Sequence, residues 1–169
     1  DSGILHKAIE EYKTTIRLKH NYAEIHNNLG VIYARQGRMD EALEEFGIAL
    51  RLQPDHATAP VSAHANSHYN IALIYARQER MNEAIEGFRT AVRLEPGFVD
   101  AQYNIGLAYE KLGRIDDAIE EYIITLKLKP GFAEAHNSLG NSYAKQGRID
   151  KAIEEYMIAL RLKPGFAKA

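Results

Sequence analysis

A 34-residue unit, present in three consecutive copies and a fourth set off by eight residues, constrains this chain more than any other feature. Residues 133–166 read AEAHNSLGNSYAKQGRIDKAIEEYMIALRLKPGF, and copies occupy residues 23–56, 65–98 and 99–132. Tyr33, Tyr75, Tyr109 and Tyr143 fall in register. So do Ala42, Ala84, Ala118 and Ala152, then Phe46, Phe88, Tyr122 and Tyr156, and finally Pro54, Pro96, Pro130 and Pro164. Each copy can bury its apolar face only against its neighbours, so 169 residues with 46% hydrophobic content form a line of stacked units, not a globule.

Inside one copy, Leu139, Gly140 and Tyr143 share a face at helical spacing, and Gly147 supplies the left-handed residue that ends a helix. Ile149, Ala152, Ile153, Tyr156 and Leu160 then recur in steps of three and four up to Pro164. Each unit is therefore predicted to be two antiparallel amphipathic helices. Small residues on the first helix (Gly30, Ala72, Gly106, Gly140) and on the second (Ala42, Ala84, Ala118, Ala152) let the backbones approach. At the turn, Glu79 stands where the other copies have Gly37, Gly113 and Gly147. A non-glycine residue in the left-handed region costs about 1–2 kcal/mol, so this turn is expected to differ in shape.

Residues 1–22 match only the second half of a unit, through Gly3, Ala8 and Tyr12, and are expected to form the second helix of a truncated repeat. The chain is accordingly expected to be a fragment. Between the first two full copies, residues 57–64 (ATAPVSAH) are extra, and Pro60 suits the first turn of a helix. The next helix is expected to begin early and run from about Pro60 to Arg77. Residues 167–169 form a tail. With neither end capped, apolar surface is expected at both, and with it end-to-end self-association.

The order small-x2-Tyr, then Gly, Ala, Tyr or Phe, Ala and Pro resembles the tetratricopeptide repeat family. The resemblance covers nearly the whole chain. It departs where the family often has a large aromatic in the opening helix, here His26, His68, Gln102 or His136. The resemblance implies an all-α, right-handed superhelical solenoid of helix pairs whose inner groove is lined by the first helices. It also implies a protein-interaction scaffold that holds an extended segment of a partner there.

Register selects the residues facing that groove. One column is Asn28, Asn70, Asn104 and Ser138; a neighbour is Asn27, Tyr69, Tyr103 and Asn137; a third is Val31, Leu73, Leu107 and Asn141. Arg35, Arg77, Lys111 and Lys145 line one margin, with Glu24, Asn66, Asp100 and Glu134 opposite. An asparagine offers both a donor and an acceptor, so a column of them can pair with an extended backbone without reading its side chains. Tyr69 with Leu73 and Tyr103 with Leu107 are four-apart pairs that suggest an apolar floor between those contacts. Asn28, Asn70 and Asn104 resemble the asparagine ladder of the O-linked N-acetylglucosamine transferases, and Ser138 breaks it. That resemblance raises an alternative, a substrate-recruiting region of a larger, glycosyltransferase-like enzyme; a self-assembling scaffold using uncapped ends is another. The carboxylate clamp of co-chaperone members is not assembled: where it has a Lys and an Asn on one opening helix this chain has Asn27 and Val31 or Tyr69 and Leu73, and where it has a Lys/Arg pair on the third, Asp100 and Asn104 or Glu134 and Ser138.

Catalysis is not expected. His64 and His68 have zinc-compatible spacing but no third ligand nearby in sequence, and His26, His68 and His136 occupy one repeat position suited to packing. Glu44, Glu45, Glu86, Glu120, Glu121, Glu154 and Glu155 recur on the second helices and are expected to form a solvated outer face. No phosphate-binding loop or nucleophile elbow occurs. No cofactor or metal is expected. A net charge of -2 and a pI near 6.4 supply no basic field for nucleic acid, no run is long enough to span a membrane, and cysteine is absent. A cytoplasmic location is expected.

Overall fold

The computed structural model describes residues 2–18, 23–52 and 61–164. Pro54, Pro60, the early part of the extra segment and the tail lie outside the described residues. Nine helices are present among those described: α1 (Ser2–Leu18), α2 (Ala23–Arg35), α3 (Met39–Arg51), α4 (Val61–Arg77), α5 (Met81–Leu94), α6 (Val99–Lys111), α7 (Ile115–Leu128), α8 (Ala133–Lys145) and α9 (Ile149–Leu162). The main pairs are α2 with α3, α4 with α5, α6 with α7 and α8 with α9, and each second helix packs on the next first helix. The result is an all-α solenoid.

Every turn within a pair is built alike. Gly37, Gly113 and Gly147 take φ of 79°, 73° and 72°, and Glu79 takes 59°. The expectation that the Glu79 turn differs in shape is overturned by its hydrogen bonds. Arg80 N donates to Tyr75 O at 2.9 Å, as Arg38 N does to Tyr33 O and Arg114 N to Tyr109 O, both at 2.9 Å. The paired helices fix the turn, and Glu79 adopts the left-handed conformation to suit it. Glu79→Gly removes about 1–2 kcal/mol of strain but gives the unfolded chain about 0.4–1 kcal/mol of extra entropy. The expected net gain is about 0.5–1 kcal/mol, read as a Tm rise of about 1–4 °C by calorimetry. An unchanged or lowered Tm removes the strain argument.

No side chain caps the second helices. Instead, the arginine before each lies over the tyrosine that ends the first helix, with guanidinium-to-ring distances of 4.2 Å for Arg38 on Tyr33 and 4.2 Å for Arg80 on Tyr75. Arg114 on Tyr109 is at 4.5 Å and Arg148 on Tyr143 at 4.3 Å. In three of the four the same guanidinium reaches a carboxylate three residues on, as in Arg80 to Glu83 at 3.0 Å and Arg114 to Asp117 at 2.7 Å; Arg148 has Lys151 there instead. Such exposed pairs add little to stability, so their main effect is to hold the turn in one geometry.

Close packing inside a pair follows a small-against-large rule with one inversion. A Cβ on Gly30 would sit 2.6 Å from Phe46, on Gly106 2.5 Å from Tyr122, and on Gly140 2.7 Å from Tyr156. The α4–α5 pair carries Ala72 at that first-helix position, and the missing side chain moves to α5: a Cβ on Gly87 would lie 2.8 Å from the Ala72 Cβ. Two apolar clusters result. One joins Ile9 and the α2–α3 pair to Ile74; the other runs from Ala72 through Phe88, Tyr122 and Tyr143 to Ala152. They meet on α4, the helix that follows the extra residues and is 17 residues long where α2, α6 and α8 have 13.

Candidate partner-binding groove

Two cavities open between successive first helices. One, of about 220 Å³, lies between α2 and α4 and is lined by Val31, Ala34, Arg35, Phe46, Asn70, Leu73, Ile74 and Arg77. The other, of about 240 Å³, lies between α4 and α6, with Leu73, Ala76, Arg77, Met81, Phe88, Asn104, Leu107, Ala108 and Lys111 around it. They are one repeat apart and share a plan: an aliphatic floor, an aromatic from the second helix behind it, an asparagine at one side and two cations at the other. Val31, Arg35, Asn70, Leu73, Arg77, Asn104, Leu107 and Lys111 are thus the sequence-selected residues that the fold brings together. Among the described residues, Arg35, Arg77 and Lys111 make no ion pair.

The other selected residues are placed differently. Asn27 is buried, and its Oδ1 accepts from Ser67 Oγ at 3.3 Å and from Asn70 Nδ2 at 3.2 Å. Asn104 spends both amide hydrogens, on Asp100 O at 2.7 Å and on the Tyr69 hydroxyl at 3.3 Å. Asn28 and Asn137 are half-buried. Tyr69 and Tyr103 are not floor residues. Tyr69 packs on Phe88 and Phe98 with centroids 5.6 and 4.8 Å away. Tyr103 packs on Tyr122 and Phe132 at 5.6 and 5.0 Å, and its hydroxyl meets the buried Ser138 Oγ at 2.9 Å. Burial pushes both phenols above the usual tyrosine range. Asn141 Oδ1 accepts from Tyr156 OH at 2.7 Å, and Lys145 pairs with Glu110 at 2.5 Å. The columns of Asn and Tyr therefore stitch consecutive first helices together; Asn104 is left with its side-chain carbonyl oxygen, and Asn70 with that oxygen and one amide hydrogen.

On the opposite side of the first helices the expectation of a solvated glutamate face is corrected. Glu45 Oε2 lies 2.6 Å from His26 Nδ1 and Glu155 Oε2 2.6 Å from His136 Nδ1, with the glutamate side chains 18% and 20% exposed. Glu121 accepts from Gln102 Nε2 in the same way, and burial raises its carboxyl above the ordinary range. Adjacent residues on a helix point about 100° apart, so in each Glu-Glu pair one turns out and one turns in. The inner glutamate clasps the first helix of its own pair. Sequence analysis missed this, although the signal is present as two columns, His/His/Gln/His and Glu/Gly/Glu/Glu. At the gap, His68 faces Gly87 and has no clasp. Burial, with His64 and Arg93 nearby, holds its imidazole below the usual range. The unfolded chain then takes up the proton first, and the stability of the neutral form is lost as pH falls below about 6.5.

Among the described residues, no three His, Cys, Asp or Glu are grouped to hold a metal, and no helix is long and apolar enough to cross a membrane. Repeated helix pairs with a lined first-helix face define the chain as a helical-repeat interaction scaffold. The chain belongs to the tetratricopeptide repeat family. Family models described as tetratricopeptide repeat match residues 21–94, 69–123 and 103–165, and a TPR repeat model matches residues 1–37. Similar solved structures include MamA, at 29% identity over 99% of this chain and 94% of that one, with a TM-score of 0.81. MamA from Desulfovibrio magneticus RS-1, residue 41 to the end, shares the fold at 21% identity, 97% and 88% coverage and a TM-score of 0.79. YrrB, described as a TPR protein with an unusual peptide-binding site, shares it at 22% identity, 96% and 80% coverage and a TM-score of 0.72. No curated protein matches the chain.

Proposed function

We propose that this scaffold holds an extended, acidic-apolar segment of a protein partner across α2, α4 and α6, and that it acts by binding and not by turnover. The observation that carries this reading is the pair of equivalent cavities one repeat apart, about 220 and 240 Å³, each with an apolar floor and two cations on its margin. An apolar side chain in each cavity is removed from water at roughly 25 cal/mol per Å². Carboxylates beside Arg35, Arg77 and Lys111 neutralise cations that make no ion pair among the described residues. Asn70 Oδ1 and Asn104 Oδ1 are positioned to accept from the segment's backbone N–H groups.

Selection of peptides from a displayed random library against the whole chain tests this directly. Selected sequences are expected to combine acidic residues with large aliphatic ones. The double variant Arg77→Glu/Lys111→Glu changes two exposed side chains, so it keeps the fold while placing like charge at the cavities. Its affinity for the selected peptides is expected to fall about tenfold or more, since charge-assisted contacts are worth about 1.5–3 kcal/mol. Basic selected peptides, or affinity that ignores the double variant, contradict the reading.

A second reading, self-association, is favoured by α9. Ile149, Ile153, Met157 and Leu160 are 54, 50, 57 and 38% exposed along one face. The same positions on α7 (Ile115, Ile119, Ile123, Leu126) pack into the core beneath α8. We infer that a second copy covers the α9 face at high concentration. Light scattering is expected to show a mass above the monomer that returns to the monomer value in Met157→Glu; a monomer throughout rules this out.

A further inference from the structure

A cavity larger than either of those in the groove lies outside it. It measures about 640 Å³, lies over α4 and α5 and extends to Tyr109 and Arg114, and none of its lining residues belongs to the groove columns. It opens where the clasp is missing. In the pairs α2–α3 and α8–α9, the residue equivalent to His68 meets a glutamate at 2.6 Å, and Gln102 of α6 meets Glu121; in α4–α5 the glutamate is Gly87, whose backbone lies against Ala72. With Ala72 in place, a glutamate cannot be added at Gly87 without displacing α5.

The surroundings of this gap are short of negative charge on the His68 side. Arg89 Nη2 donates to the Tyr109 hydroxyl at 2.6 Å, a neutral acceptor, and makes no ion pair among the described residues, its nearest electrostatic partner being Glu121, which is already held by Gln102 outside the cavity lining. Arg93 acts on His68 as a positive neighbour. Of the other charged groups lining the cavity, Glu83 is occupied by Arg80 at 3.0 Å and Arg114 by Asp117 at 2.7 Å. Of the two carboxylates that line the cavity, Glu86 makes no ion pair among the described residues. The floor between these groups is apolar, formed by Ile71, Tyr75 and Ile85.

We propose that this cavity is a second docking site, which receives a single acidic side chain of a protein segment, flanked by apolar residues, so that the incoming carboxylate takes the place between His68 and Arg89 that glutamate fills in the other helix pairs. The volume is far larger than one glutamate side chain, which accommodates the flanking residues. Glu86 disfavours a second acidic residue at its end, so the segment carries one carboxylate and not a run of them. The site is independent of the groove, and two partner segments can be bound at once.

The test follows the His68 ring resonance of the full chain by NMR as acetyl-Leu-Glu-Leu amide is added. A saturable shift at millimolar peptide is expected, with little or none for the Gln counterpart and a clear reduction in Arg89→Ala. Ala72→Gly/Gly87→Glu fills the gap from within, so its His68 resonance is expected to start near the clasped position and to stay there. Arg77→Glu/Lys111→Glu, which disables the groove, is expected to leave the His68 shift intact. A His68 resonance that ignores the Glu peptide overturns the proposal. So does an equal shift with the Gln peptide or with sodium acetate alone at the same concentration.

Discussion

Tyr122→Ala is expected to remove about 3–5 kcal/mol of stability, the range for deleting a large buried aromatic. The ring has no exposed surface, lies over Gly106 and touches Tyr103, so its loss opens a void at the centre of the larger cluster. At about 2–4 °C per kcal/mol for a chain of this size, Tm falls by about 6–20 °C. Tyr122→Phe is a sharper control. Its hydroxyl donates to Glu110 Oε2 at 2.9 Å, and Glu110 also binds Lys145 at 2.5 Å, so the carboxylate keeps a partner. The Phe variant should therefore lose only about 0.5–1.5 kcal/mol. Because a solenoid's stability is summed over neighbouring units, Tyr122→Ala should also broaden the urea transition as α6–α7 uncouples from its neighbours. A loss below about 1 kcal/mol in the Ala variant would mean that the small-against-large packing is not what holds the pair.

Gly87→Glu is expected to cost about 2–3 kcal/mol, because its Cβ would lie 2.8 Å from the Ala72 Cβ and the closed approach of α5 to α4 must open. Adding Ala72→Gly restores the arrangement of the other pairs, with the small residue on the first helix and glutamate facing histidine. The double variant should recover more than half of the loss, a coupling within the 0.5–3 kcal/mol seen for residues in contact. Helix propensity does not explain such a rescue, since glycine in the middle of α4 by itself costs about 1 kcal/mol. Urea midpoints of the parent, both single variants and the double variant complete the cycle. Additive single effects would show that Ala72 and Gly87 do not compensate for one another.

Much of the fold was legible because the residues that set it recur: a small residue, an aromatic to cover it, and a left-handed turn. Periodicity alone did not say which of two adjacent glutamates turns inward, since the Glu44 column holds glutamate in all four copies and the Glu45 column in three. The clasp of Glu45 on His26 became visible only with the crossing of α2 and α3 in place. Groove residues were legible as a face but not as individual contacts. Asn27, Asn104, Tyr103 and Ser138 hydrogen-bond between repeats, and those bonds depend on how one pair is rotated on the next, which a 34-residue spacing does not encode. Leu73 and Leu107 line the cavities while Tyr69 and Tyr103 turn into the core, for the same reason. Glu79 shows the reverse case, a local preference overridden by the paired helices on either side.

The most direct measurement of the central claim is a methyl NMR spectrum of the chain with a library-selected peptide at saturation. The account predicts shifts at Val31, Leu73 and Leu107, with Ile153 and Met157 on the outer face of α9 unmoved. Shifts confined to α9, or to the outer surface of α4 and α5, with Leu73 and Leu107 unchanged, would contradict it and place partner binding outside the first-helix cavities.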